Sequence, residues 1–186
     1  MTTEPSRQLM HLTMCVEDET LYNEYKSIVS KHNLRLLGNF DEMDAGFDLI
    51  TPQTETCMAK HVNKINFGVK CAASMGTCRV ENGDVVWSAL DTCVASAFYM
   101  HPRSSLSKKP LRLANSTGII DAGYRGPLIG MFDCIYGEQY RVERGDRLLQ
   151  ICSPTLCPIF VQLVKDQSCL GSQTMRGEGG FGSTGA

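Results

Sequence analysis

From about Phe40 onward the chain is cut into short apolar runs by turn-forming residues. In INFGVKCA, Ile65, Phe67, Val69 and Cys71 alternate with other residues, which is the two-residue period of a half-buried strand. VVWSAL, GIID, LIGMFDCIY, RLLQIC and IFVQLV follow at short intervals, separated by Asn-Gly, Tyr-Gly-Glu, Arg-Gly-Asp and Ser-Pro. Many short strands at near-regular spacing predict an all-β sandwich, a distorted jelly roll or a closed β-barrel rather than a parallel sheet. Helical period occurs once, before this region. In DETLYNEYKSIVSKHN, Leu21, Tyr25, Ile28 and Val29 share one face, and Asp18 or Thr20 is placed to cap the start. The expected organisation is an N-terminal extension over residues 1–39 carrying that helix and a β domain over residues 40–164. A flexible arm over residues 165–186 completes it, and its connector at 165–175 has little apolar content.

A chain of 186 residues, 42% apolar and 20% charged, is long enough to bury a core and predicts one domain with extensions. Its net charge of −2 supplies no field for nucleic acid or an anionic membrane, and no apolar run reaches membrane-spanning length. The local basic run of Arg103, Lys108, Lys109 and Arg112 reads by itself as a solvated surface. Nine cysteines stand at irregular spacing with no secretory signal and no Cys-x-x-Cys pair, and His11, His32, His61 and His101 stand alone. The thiols are therefore expected to be reduced, small buried hydrophobes in an intracellular protein, cytoplasmic or nuclear, with no structural metal.

The C-terminus is RGEGGFGSTGA, glycine-rich yet carrying one aromatic ring, Phe181. GEGGFG satisfies the dinucleotide fingerprint, but that fingerprint needs a strand before it and a helix after it, and only four residues remain. Taken alone, the segment reads as a disordered terminus.

AGFDL at 45–49, PRSSL at 102–106, NSTGIIDAGYRG at 115–126, GDRLLQI at 145–151 and RGEGGFGSTG at 176–185 occur in that order. Together they resemble the five motifs of the trimeric dUTP pyrophosphatases (dUTPases), and they span nearly everything after residue 44. The resemblance implies Mg²⁺-dependent hydrolysis of dUTP to dUMP and pyrophosphate by a homotrimer of jelly-roll-like subunits with shared sites. That activity keeps uracil out of DNA and supplies dUMP for thymidylate synthesis. Neither nucleic acid nor membrane is an implied partner.

By itself Asp121, at the end of an apolar strand, reads as a turn-initiating aspartate. By resemblance it is the general base that activates the water attacking the α-phosphorus. Asn115, six residues earlier, offers the donor and acceptor of an amide to a uracil edge. Gly118, Ile119, Ile120 and Ile129 belong to the family's uracil-binding hairpin, and Tyr124 is similar to its sugar gate, where a 2′-hydroxyl clashes. Arg103, Ser104, Ser105 and Gln150 are the implied triphosphate contacts. Ser105 stands where the family usually has glycine, and Pro127 where many relatives have glutamate. Asp48 resembles the residue that holds metal-bound waters on Mg²⁺. In the arm, the resemblance has Arg176 grip the γ-phosphate, Phe181 stack over uracil, and Gly182, Ser183 and Thr184 donate to phosphate. The hairpin, the phosphate motifs and the arm of one site are expected to come from three different chains.

Two other readings stand beside this one. The dCTP deaminases share the fold, and HPRSSL is as similar to them; they carry a catalytic glutamate about ten positions beyond the motif's aspartate, where this chain has Met131. A bifunctional deaminase/dUTPase is a variant of that reading. A non-catalytic relative that binds nucleotide or a protein partner is the other, and the segment MGTCRVENGDVVWSALDTC lengthens the interval between the first two motifs in a way such a partner, or mere surface decoration, would use.

Overall fold

No strand is expected before residue 40, yet the computed structural model opens with one. The structure describes residues 7–81, 84–87, 93–171, 174, 176, 177 and 179. Strand β1 (Arg7–Cys15) lies between two others, antiparallel to β4 (Val62–Glu81) and parallel to β13 (Ile159–Val164). Both of its faces are covered. Leu9 joins a small cluster with Leu36 and Cys78, while Met10, Leu12 and Met14 enter the main core. Met10, Leu12 and Met14 alternate with the half-buried His11 and Thr13, so the two-residue period of a strand is present in MHLTM and the expectation passed over it.

Helix α1 (Glu19–Gly38) forms where its period predicts. The Asp18 side chain accepts from the Leu21 N–H at 2.8 Å, which decides the cap in favour of Asp18. Leu21, Tyr25, Val29 and Leu36 are its buried residues, and Tyr25 is anchored by the Ile50 N–H at 3.0 Å. The helix also closes an open sheet edge. Asn33 donates to the Val161 carbonyl at 2.8 Å and accepts from the Val161 N–H at 3.2 Å, and His32 Nε2 donates to the Ile159 carbonyl at 2.7 Å. Side chains of α1 thus take the place of a further strand beside β13.

The remaining strands make two larger sheets and one small pair. The large sheet runs β13-β1-β4-β10-β8, with β8 (Leu111–Leu113) and β10 (Pro127–Cys134) antiparallel beyond β4. The second has four strands in the order β2-β12-β7-β9: β2 (Gly46–Ile50), β12 (Arg147–Cys152), β7 (Phe98–Pro102) and β9 (Gly118–Ile120). β3 (Glu55–Met58) pairs with β11 (Gln139–Val142). One core cluster draws Met10, Phe67 and Phe132 from the large sheet and Phe47, Met100 and Ile151 from the other, so the sheets pack face to face. The fold is all-β with one N-terminal helix, as the strand spacing predicts.

The long interval between the first two motifs turns into sheet. β4 runs 20 residues, and β5 (Asp84–Trp87) and β6 (Val94–Ser96) both pair with its second half. After β13, a short 3₁₀ helix over Gln167–Leu170 buries Leu170, so the polar connector has one apolar anchor. The nine cysteines are free thiols, and Cys15, Cys57, Cys71, Cys78, Cys134 and Cys152 are buried. Among the described residues, no helix is long and apolar enough to cross a membrane.

Candidate active site

β9, the turn after it and the start of β10 wall a pocket of about 220 Å³. Asn115, Gly118, Ile119, Ile120, Asp121, Tyr124 and Ile129 line it, together with Met100, Pro127, Arg176 and Gly179. The turn is tied locally. The Tyr124 N–H donates to the Asp121 carbonyl at 2.9 Å, and the Tyr124 hydroxyl donates to the Pro127 carbonyl at 2.9 Å. The ring lies across Gly126, where a Cβ would stand 2.5 Å from the Tyr124 hydroxyl oxygen, so only glycine lets the tyrosine fold over the turn. Pro127 sits at a register shift in the β10–β4 pairing, a position that needs no ladder N–H. Ser116 has φ 61°, a left-handed residue that turns the chain from Asn115 into β9. Gly118 packs on Met100, whose atoms lie 3.2 Å from where a Cβ would be.

A second cleft, of about 650 Å³, opens on the four-stranded sheet. Asp48, Arg103 and Gln150 line it, together with Asp44, Ala45, Gly46, His101, Pro102, Cys152 and Leu156. Asp48 is held between two guanidinium groups, Arg103 Nε at 2.6 Å and Arg147 Nη1 at 3.2 Å. Gln150 Nε2 donates to the Pro102 carbonyl at 3.3 Å, and its carboxamide lies over Gly46, where a Cβ would stand 2.3 Å from Gln150 Oε1. A side chain at position 46 of AGFDL would have to push aside the flexible end of the glutamine of GDRLLQI. Ser104 and Ser105 open the 3₁₀ helix over Ser104–Lys108 directly after Arg103, with Ser104 exposed. The neighbouring basic residues are engaged elsewhere: Lys109 pairs with Asp146 at 2.7 Å beside the Tyr140 ring, and Arg112 donates to the Lys109 and Leu111 carbonyls.

The start of the arm lies on the hairpin of its own chain. Arg176 Nη2 is 3.0 Å from Asp121 Oδ2, the Arg125 N–H donates to the Gly177 carbonyl at 2.8 Å, and Thr174 Oγ1 donates to the Gly123 carbonyl. Arg125 Nε reaches back to the Leu170 carbonyl at 3.0 Å. Gly123 leaves room for this approach, since a Cβ there would be 3.3 Å from Arg176 Cβ. Arg176 thus rests on the carboxylate of the pocket, away from Arg103 and Gln150. Phe181, Gly182, Ser183 and Thr184 lie outside the described residues.

Among the described residues, no cluster of three or more His, Cys, Asp or Glu side chains is arranged to hold a metal. Two carboxylates line the cleft: Asp44, which pairs with Arg35 at 2.9 Å, and Asp48, with 19% of its side chain exposed. So small a set of oxygen donors fits a hard cation that keeps its waters and takes its other ligands from phosphate oxygens; it does not fit an all-protein cage.

Sequence reasoning missed Met100, Pro127, His101 and Arg147. The signal for His101 and Met100 was present, because positions two and three before Arg103 on a strand alternate between its face and the opposite one. Arg147 stood inside the quoted GDRLLQI, and only its contact with Asp48 gives it a role.

Comparison with known proteins places the chain in a family. A dUTPase family model matches residues 82–185. The deoxyuridine 5′-triphosphate nucleotidohydrolase of Corynebacterium jeikeium is 32% identical over 144 residues, covering 76% of this chain and 80% of that protein. The one from Hydrogenovibrio crunogenus is 29% identical over 159 residues, covering 77% and 98%. Among solved structures, the dUTPase of Staphylococcus bacteriophage 80alpha matches 94% of this chain and 98% of its own, at 20% identity and a TM-score of 0.48. That of Streptococcus mutans covers 58% and 75%, at 23% identity and 0.44. The chain belongs to the dUTPase family.

Proposed function

We infer that this chain is a dUTP diphosphatase, an enzyme that hydrolyses dUTP to dUMP and pyrophosphate. The observation that carries the reading is the pocket, in which the family's aspartate, asparagine, tyrosine and hairpin glycine line one cavity of about 220 Å³. Uracil enters between Asn115 and the hairpin from Gly118 to Ile129, read by backbone groups and the Asn115 amide. Tyr124, fixed by Pro127 and Gly126, packs on the deoxyribose and leaves no space for a 2′-hydroxyl.

Asp121 acts as the general base. Its carboxylate takes a proton from water, the water oxygen bonds to the α-phosphorus, and the bond from that phosphorus to the bridging oxygen breaks as pyrophosphate leaves in line. A base so placed is worth ~10²–10⁴ in rate. With 52% of its side chain exposed, Asp121 is open to water. Arg176 covers it before substrate arrives and moves to the γ-phosphate when nucleotide binds. Phe181 then stacks on the uracil while Gly182, Ser183 and Thr184 donate to phosphate, which excludes bulk water from the reaction.

The triphosphate lies against Arg103, Ser104, Ser105 and Gln150. The family is metal-dependent, and Asp48 is the residue suited to hold Mg²⁺ through water. The ion, when bound with nucleotide, neutralises phosphate charge as a Lewis acid. The enzyme works as a homotrimer with shared sites. Met100 lines the pocket while its neighbour His101 and then Arg103 line the cleft, so the two are separate recesses of one chain. A nucleotide that needs both takes the pocket from one chain and the cleft from another.

Product analysis with dUTP, dCTP and dTTP in the presence of Mg²⁺ tests the reading. Release of dUMP and pyrophosphate from dUTP alone is expected; ammonia from dCTP would replace it with deamination.

A further inference from the structure

The cleft holds one polar ring that the roles above leave unused. In the four-stranded sheet the register sets Asp48 of β2 opposite Gln150 of β12, and Gln150 opposite His101 of β7. Directly opposed residues on neighbouring strands project from the same face, so these three side chains form a row across the sheet. The row continues one strand further. Met100 is opposite Gly118, and the next step brings His101 to Thr117, whose Oγ1 is 3.4 Å from His101 Nδ1. Arg103, two residues beyond His101, shares this face by strand alternation, whereas Met100 between the rows is 2% exposed and belongs to the core.

We propose that His101 is a phosphate-binding residue of this site, donating from Nε2 to the triphosphate of a dUTP held against Arg103 and Gln150. The proposal rests on the reading of this cleft as the phosphate side of a dUTP site. A hydroxyl of Thr117 that donates to Nδ1 selects the tautomer with its proton on Nε2. The ring then offers the cleft a donor and no acceptor, which suits phosphate oxygens that only accept. Tyr99, on the same face two residues earlier, sets its ring 5.3 Å from His101 and backs the imidazole. Asp48, the one carboxylate in the row, is already bound by Arg103 and Arg147, and the Gln150 carboxamide donates to Pro102 with its oxygen over Gly46.

The test compares His101→Ala and His101→Gln with the wild-type full chain, using a non-hydrolysable dUTP analogue and, as the phosphate-free control, deoxyuridine as competitive inhibitor. His101→Ala is expected to weaken the analogue by about 10-fold, the effect of one hydrogen bond to a charged acceptor, and to leave deoxyuridine unchanged. KM for dUTP should rise in step while kcat moves less than about threefold. His101→Gln keeps a side-chain N–H and should retain most of the affinity. Equal weakening of analogue and deoxyuridine, no weakening of either, or a glutamine variant as weak as alanine overturns the assignment. Failure of the wild-type chain to turn over dUTP overturns the reading of the cleft instead, independently of His101.

Discussion

In the hairpin pocket Asp121 and Tyr124 stand in one turn, joined by the Tyr124 N–H on the Asp121 carbonyl, and Asn115 is in the same short motif. In the sheet cleft Asp48 and its partner Arg147 are 99 positions apart, and the row that includes Gln150 and His101 spans three strands from separate parts of the chain. The hairpin wall of the pocket is therefore a local construction with one exposed carboxylate, its close packing allowed by glycines and its turn fixed by a proline. The cleft is a non-local one in which charges satisfy each other before substrate arrives. Chemistry that needs an exact turn sits in the first. Charge that must be assembled from distant residues sits in the second, where it depends on sheet register. The difference teaches that changes in the pocket should act on turnover and base or sugar choice, and changes in the cleft on binding of the phosphate chain.

The largest effect should come from the pocket. Asp121→Asn keeps size and most contacts but cannot take the proton from water, so kcat should fall at least ~100-fold with nucleotide affinity little changed. Near-normal kcat by steady-state kinetics would remove Asp121 from the role and blur the division between the two regions. Truncation after Met175 removes Arg176, its pairing with Asp121 and the rest of the last motif, but no strand among the described residues. A loss of ~100-fold in kcat/KM is expected with a thermal midpoint close to that of the full chain. Full activity in the truncated chain would make the arm dispensable.

A smaller effect should separate the regions by kind. Tyr124→Ala opens the pocket beside the sugar and should shrink the preference for dUTP over UTP by ~10-fold, measured as a ratio of kcat/KM values. Gly46→Ala works on the cleft: its Cβ would displace the flexible end of Gln150 without moving backbone. KM should rise ~5-fold, kcat should hold, and the dUTP/UTP ratio should stay as in the wild type. A change in sugar preference with Gly46→Ala would show that the regions are not separable.

The smallest effect tests the frame that carries both. Burial holds the His32 and His11 imidazoles below the ordinary value of 6.5, outweighing the hydrogen bonds to Ile159 and Gln162 that oppose it. A histidine kept neutral in the folded state takes its proton more readily when unfolded. Its contribution is thus present above that ordinary value and lost as pH falls below it. The thermal midpoint should drop on the order of 2 °C between pH 7.5 and 5.5, and less in His32→Asn. A midpoint that rises on acidification would reverse the sign argued for these two rings.

Much of this was legible beforehand, for physical reasons that differ from one element to the next. GIID, RLLQIC and IFVQLV became β9, β12 and β13 because each alternates or runs apolar between turn residues, and α1 announced itself by period and by Asp18. The local motif around Asp121 could be read because its parts are contiguous. β1 carried its alternation in Met10, Leu12 and Met14, but its place between β4 and β13 depends on partners that lie far along the chain.

By itself, then, the sequence determined an all-β chain with one capped helix, the turn that carries Asp121 and Tyr124, and the residue types of the sheet cleft. Those are properties of short stretches, governed by side-chain period, by turn chemistry and by which residues accept a left-handed or tightly packed backbone. Only the tertiary structure decided that Asp48 is shared by Arg103 and Arg147, that His101 completes a row with Gln150, and that Arg176 rests on Asp121. Each of those depends on register between strands or on where a segment docks, and register is set by the packing of the whole core rather than by any stretch of it.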